Sequence, residues 1–389
     1  MPSIKVDISP NILNWVLKNA FLEGLDNNVS NYFSQWKNNE KQPTFAQIEE
    51  ISRKTHIPLG YFFLQTPPVE QVPLIEYRTL KSAGNVTPSR ELLETYNHMT
   101  DIQDWMRDYL VDSGMERLEY VGSCKNENDI EKIAVSIRNI ISLEVDWFLN
   151  SKDTETSFKT LREYFENAGI LIIKNGIVGQ NTHRPLDVNE FRAFTLIDDY
   201  APLVFINNKD REGGQLFSLM HEIVHIWIGV QSFYNDSYGM HFNISPLETL
   251  CNAVAAELLV PNAYFKEQWK NDNNPELDSK IRTIAKYFKC GRMVVARRAL
   301  DNQYISNDEY QDITKKLIAF FNRNNQNRKT GGKYYDTAIS RYGTRLLLAL
   351  TRSVYEGKTL LKDAYKLTCT KSDTFEKLVN EVMERTSAN

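Results

Sequence analysis

The residues best suited to chemistry are His221, Glu222 and His225, in the run His221-Glu222-Ile223-Val224-His225. Their spacing is H-E-x-x-H. On a helix, side chains four apart share a face, so both imidazoles can reach one ion. Glu222 projects beside them and can polarise a bound water without ligating. Zn2+ suits such a site, because it takes two imidazoles and one carboxylate and keeps a fourth position open. The metal lowers the pKa of bound water to about 7, and a carboxylate then takes its proton. That is a peptide-hydrolysing arrangement. The surrounding run LFSLMHEIVHIWIGV is apolar over a helical length. Burying His, Glu and His there without a partner costs several kcal/mol, which a shared metal relieves.

A third ligand is needed. In the pattern H-E-x-x-H-x-x-G-x-x-H it would be a histidine at 231, but Gln231 stands there, and Ile228 holds the place of the glycine. The remaining type uses a glutamate on a following helix. Glu248 opens ETLCNAVAAELLVP, a helix that ends at Pro261. Asn252 lies one turn beyond Glu248 on the same face and could hydrogen-bond a ligand from behind. Asp236, His241 and Glu257 are rivals as third ligand; Glu257 is nine residues along the same helix, about 13 Å from Glu248 at the standard rise. Tyr234, Tyr238 and His241 are candidate oxyanion contacts by nearness in sequence.

These residues need elements to hold them. SFKTLREYFENAG reads as an amphipathic helix ended by Gly169. ILIIKN, FRAFTLI and PLVFIN read as three short strands before a helix that starts near Gly214. Upstream, Thr44 reads as an N-cap with Gln47 completing a capping box, and Ile48, Ile51 and Ile57 precede a stop at Pro58. Residues 90 to 150 carry helical periods. Residues 276 to 300 read as paired helices broken at Lys289-Cys290-Gly291, and 334 to 385 as two or three more.

The whole chain has 389 residues, 42% hydrophobic and 25% charged, which excludes a collagen-like or wholly disordered protein. The four cysteines form no CxxC pair, which argues against a cysteine-rich zinc site or a disulfide scaffold. No signal peptide and no membrane span is read, so the expectation is a cytoplasmic protein in a reducing compartment.

From Glu190 to Pro261 the sequence resembles the ImmA/IrrE-family metallopeptidases. EFRAF, APLVFIN, LFSLMHEIVHIWIG and ETLCNAVAAELLVP carry the likeness. The last resembles the family's E-x-x-A-N-x-F-A-x-x-L-L-x-P signature, with Cys251 in place of Ala and Val254 in place of Phe. The resemblance implies that His221, His225 and Glu248 hold zinc and that Glu222 is the general base. It also implies an endopeptidase, or a regulator with that fold. QWKNNEKQPTFAQIEEISRKTHIPLGYFFLQTPP resembles the degenerate Xre-type helix-turn-helix of long members. KYFKCGRMVVARRAL resembles their winged helix-turn-helix-like region, and YYDTAISRYGTRLLLALTRSVYEGKTLLKDAYKLT their C-terminal extension. The expected architecture is α+β, predominantly α. A gluzincin-like H-E-x-x-H domain with a small sheet is flanked by helical domains. The expected boundaries are 1–72 for the Xre-like region, 73–150 for a helical linker, 151–270 for the peptidase, 271–325 for the basic winged-helix-like region and 326–389 for the extension.

Net charge is −4, yet residues 280 to 345 hold fifteen Lys/Arg and five Asp/Glu, a local +10. Such a block is an electrostatic footprint. Arg292, Arg297 and Arg298 fall on the recognition helix it would carry, with Lys286 and Lys289 just before, so DNA is an expected partner of residues 280–345. Residues 1 to 70 hold six Lys/Arg against seven Asp/Glu, a poor phosphate clamp, which favours protein interaction or dimerisation there. The sequence therefore points to a zinc endopeptidase acting on a regulatory protein such as a repressor or antitoxin, in stress response or mobile-element control. The alternative is a DNA- or partner-binding transcriptional regulator with structural or conditionally active zinc.

Overall fold

The computed structural model describes residues 4–19, 27–38, 40–68, 88–234, 245–325 and 334–387. The chain divides into two units, one of Met1–Pro73 with Lys81–Glu94, the other of Leu74–Leu80 with Thr95–Asn389.

In the first unit, α1 (Pro10–Asn19), α2 (Asn27–Lys37) and α3 (Phe45–Thr55) are followed by a 3-10 turn at Leu59–Phe63. Ile12, Val16, Phe33, Trp36, Ile48, Ile51 and Phe62 form its core. Thr44 and Gln47 make the reciprocal capping box expected of them: the Gln47 amide donates to Thr44 Oγ1 at 3.3 Å, and the Thr44 amide to Gln47 Oε1 at 3.0 Å.

The unit boundary falls within α4 (Arg90–Asp112). There follow α5 (Ile130–Ile141), α6 (Thr154–Asn167), β1 (Leu171–Asn175), the hairpin β2 (Ile177–Val178) and β3 (Asn181–Pro185), then β4 (Ala193–Leu196) and β5 (Leu203–Asn207). α7 (Glu212–Ile228) carries the H-E-x-x-H run, and β6 (Ser232–Tyr234) and α8 (Pro246–Leu259) come after it. α9 (Asn262–Asn271), α10 (Leu277–Tyr287), α11 (Arg292–Asp301) and α12 (Asn307–Asn325) continue, and α13 (Tyr334–Tyr342), α14 (Thr344–Tyr355), α15 (Leu361–Thr368) and α16 (Ser372–Ser387) end the chain. The C-terminal segment thus forms four helices where two or three were expected. Short turns such as Gly343 divide runs that read as continuous.

The fold is α+β and mostly helical, with a small mixed sheet in the order β1-β5-β4-β6. β1 pairs parallel with β5, while β4 pairs antiparallel with both β5 and β6. β6 was not anticipated, because a three-residue strand leaves no periodicity to read. On one sheet face Phe194, Phe205 and Phe233 stack, with Phe194 and Phe205 ring centroids 5.0 Å apart. α7 lies against β4 and β5, and α8 packs on α7. Many of the buried side chains from 120–148, 158–265 and 281–317 belong to one continuous core, which does not include the phenylalanines of the other sheet face. Among the described residues no helix is long and apolar enough to cross a membrane.

The C-terminal end of α7 is pinned. Gly229 takes φ 76° as its C-cap, and Gly122 and Cys124 donate backbone hydrogen bonds to the carbonyls of Ile226 and Trp227 at 2.9 and 2.8 Å. A Cβ on Gly229 would stand 2.8 Å from the Cα of Gly122. Gly229→Ala therefore carries both left-handed strain and a backbone clash, together about 2 kcal/mol. Urea unfolding followed by tryptophan fluorescence should show a lower midpoint; an unchanged midpoint would mean that this close approach does not hold the helix end.

Candidate metal centre

α7 is buried nearly all round, and His221, Glu222 and His225 have no exposed surface. α8 supplies the fourth group. Ser245 caps it, accepting from the Glu248 amide at 3.2 Å, and Pro246 stands in its first turn. This fixes Glu248 one turn in, facing α7.

The ligand-type atoms converge. His221 Nε2 and His225 Nε2 lie 3.1 Å apart. Glu248 Oε2 is 3.0 Å from the former, and Oε1 3.1 Å from the latter. In a tetrahedral zinc site with bonds of about 2.0–2.1 Å, ligand atoms stand about 3.3 Å apart. The cluster is within a few tenths of an ångström of that edge.

The protonation pattern agrees. His221 Nδ1 lies 2.9 Å from Asn252 Oδ1, an acceptor, so the ring proton belongs on Nδ1 and the Nε2 lone pair faces the cluster. Glu248 Oε1 is buried and, beyond its approach to His225 Nε2 at 3.1 Å, has no hydrogen-bond partner among the described residues. His225 Nδ1 is likewise buried, with no hydrogen-bond partner among the described residues. These are the only His, Cys, Asp or Glu side chains among the described residues that gather in this way, and the donor set of two imidazoles and a carboxylate is one that zinc accepts.

Burial would raise the Glu248 carboxyl, but the two imidazoles, His221 above all, hold it far below the usual carboxylate range. Burial would lower the His221 imidazole, but the Glu248 carboxylate outweighs it and raises it. The same field favours any cation at the centre of the three groups.

Glu222 points to the sheet. Thr195 Oγ1 and Ser232 Oγ both donate short hydrogen bonds to its Oε2. Oε1 is buried and has no hydrogen-bond partner among the described residues. Thr195 and Ser232 are cross-strand partners in the β4–β6 register, which puts both hydroxyls on the face under α7. Sequence reasoning missed both, since β6 was unread. The inward alternation of FRAFTLI, with a threonine among apolar residues, was the available signal.

The other candidates disperse. Tyr234 ends β6, its ring centroid 4.2 Å from that of His221. Tyr238, His241 and Asp236 lie outside the described residues. Glu257 takes no part in the cluster: its Oε2 pairs with Arg298 at 2.5 Å. Arg298, expected from the sequence as a candidate DNA contact, is thus engaged inside the fold. The side chain is buried, and its Nε also donates to the Val260 carbonyl at 3.1 Å. Helical spacing showed a cationic stripe, but α11 turns that side of it into the core. Arg297 engages Asp301 at 2.9 Å and is half exposed; Arg292 stands 3.9 Å from Asp278. Lys286 is exposed and Lys289 partly so.

Two experiments test this geometry without any substrate. Removing both hydroxyls (Thr195→Val with Ser232→Ala) leaves Glu222 Oε2 without donors and should couple to Glu222→Leu by about 1–3 kcal/mol in a urea-denaturation double-mutant cycle. Additive effects would place the hydroxyls outside Glu222's environment. Arg298→Ala strands the buried Glu257 and should cost about 3 kcal/mol, whereas Arg297→Ala at an exposed pair should cost less than about 1 kcal/mol. Equal midpoints for the two would contradict the burial of Arg298.

Residues 165–300 match the family model described as the IrrE N-terminal-like domain, a peptidase family (Peptidase M78). Residues 342–381 match a domain of unknown function, DUF8813. No curated protein and no solved structure matches the chain. The first match spans α7, the sheet strands and α8, and it supports the ImmA/IrrE family and a metallopeptidase-type domain.

Proposed function

We propose that the protein is a zinc-dependent endopeptidase of gluzincin type that cuts a regulatory protein. One observation carries this: two imidazole nitrogens 3.1 Å apart each face an oxygen of one carboxylate at 3.0–3.1 Å, beside a second carboxylate with one oxygen tethered and the other without a hydrogen-bond partner among the described residues. Zinc, when bound, would supply Lewis acidity toward a scissile carbonyl and make a water easier to deprotonate.

The chain's own groups supply the rest. His221, His225 and Glu248 would hold the ion, and Asn252 keeps the His221 ring turned toward it. Glu222 Oε1 takes the proton of the attacking water and passes it to the leaving amine nitrogen as the C–N bond breaks. The hydroxyls of Thr195 and Ser232 hold Oε2, so the carboxylate cannot swing away or become a fourth ligand. A repressor or antitoxin is the proposed substrate, supported by the likeness to ImmA/IrrE peptidases.

Elemental mass spectrometry on purified protein should find one zinc per chain, lost in His221→Ala. Glu222→Gln should keep zinc and lose at least about a hundredfold of peptide-bond cleavage, read by mass spectrometry on a proteome-derived peptide mixture. Cleavage at the wild-type rate by Glu222→Gln would refute this mechanism, and a zinc-free wild type after loading would refute the metal.

A further inference from the structure

A cavity of about 850 Å³ opens beside the metal centre. Its inner wall includes Asn252, which holds His221, and Tyr234, whose ring packs on that of His221. It then runs along α7 past Phe217 and Ser218, with Ala253 and Ala256 of α8 opposite, to the N-terminus of α11. Its near wall is therefore shared with the cluster, and its far wall is the basic helix that the sequence assigned to DNA.

Three features describe what fits. The trough between α7 and α8 is apolar, and two alanines there leave room for a large side chain. Ser218 Oγ borders it, buried and with no hydrogen-bond partner among the described residues, in a residue 1% exposed. A polar atom left so in a cavity wall marks a place where a bound group supplies the partner. At the far end five arginines and three acids border the cavity, and one of the five, Arg298, is already neutralised by Glu257. Asp210 already holds Arg192 and Asp301 already holds Arg297. Arg292 is 3.9 Å from Asp278, a carboxylate that Arg282 engages at 2.9 Å. Arg292 also begins α11, whose first turn has no side-chain cap, so the positive end of the helix reinforces it.

We infer that this cavity is the substrate-specificity pocket of the proposed peptidase, taking a peptide segment in which a bulky apolar side chain is followed by an acidic one. The apolar side chain fills the trough at Ala253, a peptide group meets Ser218 Oγ, and the carboxylate meets Arg292. α11 is on this reading a substrate-recognition element. The assignment rests on the peptidase reading for its meaning but is tested by binding alone.

The test uses the full-length Glu222→Gln protein and four fluorescein-labelled octapeptides. They are identical but for two adjacent central positions, Phe or Gly followed by Glu or Lys. Anisotropy titrations should rank the Phe-Glu peptide at least about tenfold tighter than each of the others. Arg292→Glu, a change at a partly exposed site, should shift the preference from Glu to Lys. Ala253→Trp should erase the difference between Phe and Gly and keep that between Glu and Lys. Equal affinity for all four, no binding of any, or a wild-type ranking in both variants would overturn the assignment. A protein that holds zinc and cleaves but ranks the peptides equally loses only the pocket. A protein that ranks them as expected but holds no zinc loses only the peptidase.

Discussion

Placing two imidazoles and a carboxylate in a dry core, with a second carboxylate at its edge, is the constraint on which the rest depends. Alone, each of these groups is costly to bury. Together they compensate one another. Glu248 meets His221 and His225 across the gap between α7 and α8, while Glu222 has one oxygen, Oε2, held from the sheet. The segregation matters. If both carboxylates were held as ligands, neither could move a proton.

The sheet is small because its task is narrow. Four short strands give α7 a floor, and the antiparallel pairing of β4 with β6 brings Thr195 opposite Ser232. A slip of one residue would turn these hydroxyls to the phenylalanine face and put apolar groups under Glu222. The stacked Phe194, Phe205 and Phe233 hold that register from the other side. The fixed C-terminus of α7 at Gly229 then sets the height of His225 above the floor.

The basic segment shows how charge in a sequence divides once it folds. Arg298 neutralises Glu257 inside the core, Arg297 is held by Asp301, and Arg292 is left at a cavity mouth. One ten-residue helix thus contributes a structural ion pair, a surface pair and a lining group. A count of +10 over the segment is correct and says little about which cations meet solvent.

The sequence by itself determined the H-E-x-x-H helix, the main strands, the Thr44 capping box and the general class, because each is written in local spacing: four residues for a shared helix face, two for a strand, three for a capping box. It left Glu248 competing with Asp236, His241 and Glu257, because a third ligand arrives from another helix across a gap that no local period measures. Only the tertiary structure decided that Glu257 belongs to Arg298, that Glu248 faces both imidazoles, and that Thr195 and Ser232 hold Glu222. Those are contacts between segments distant in sequence or across a strand register, where burial and the pairing of charge select the partner.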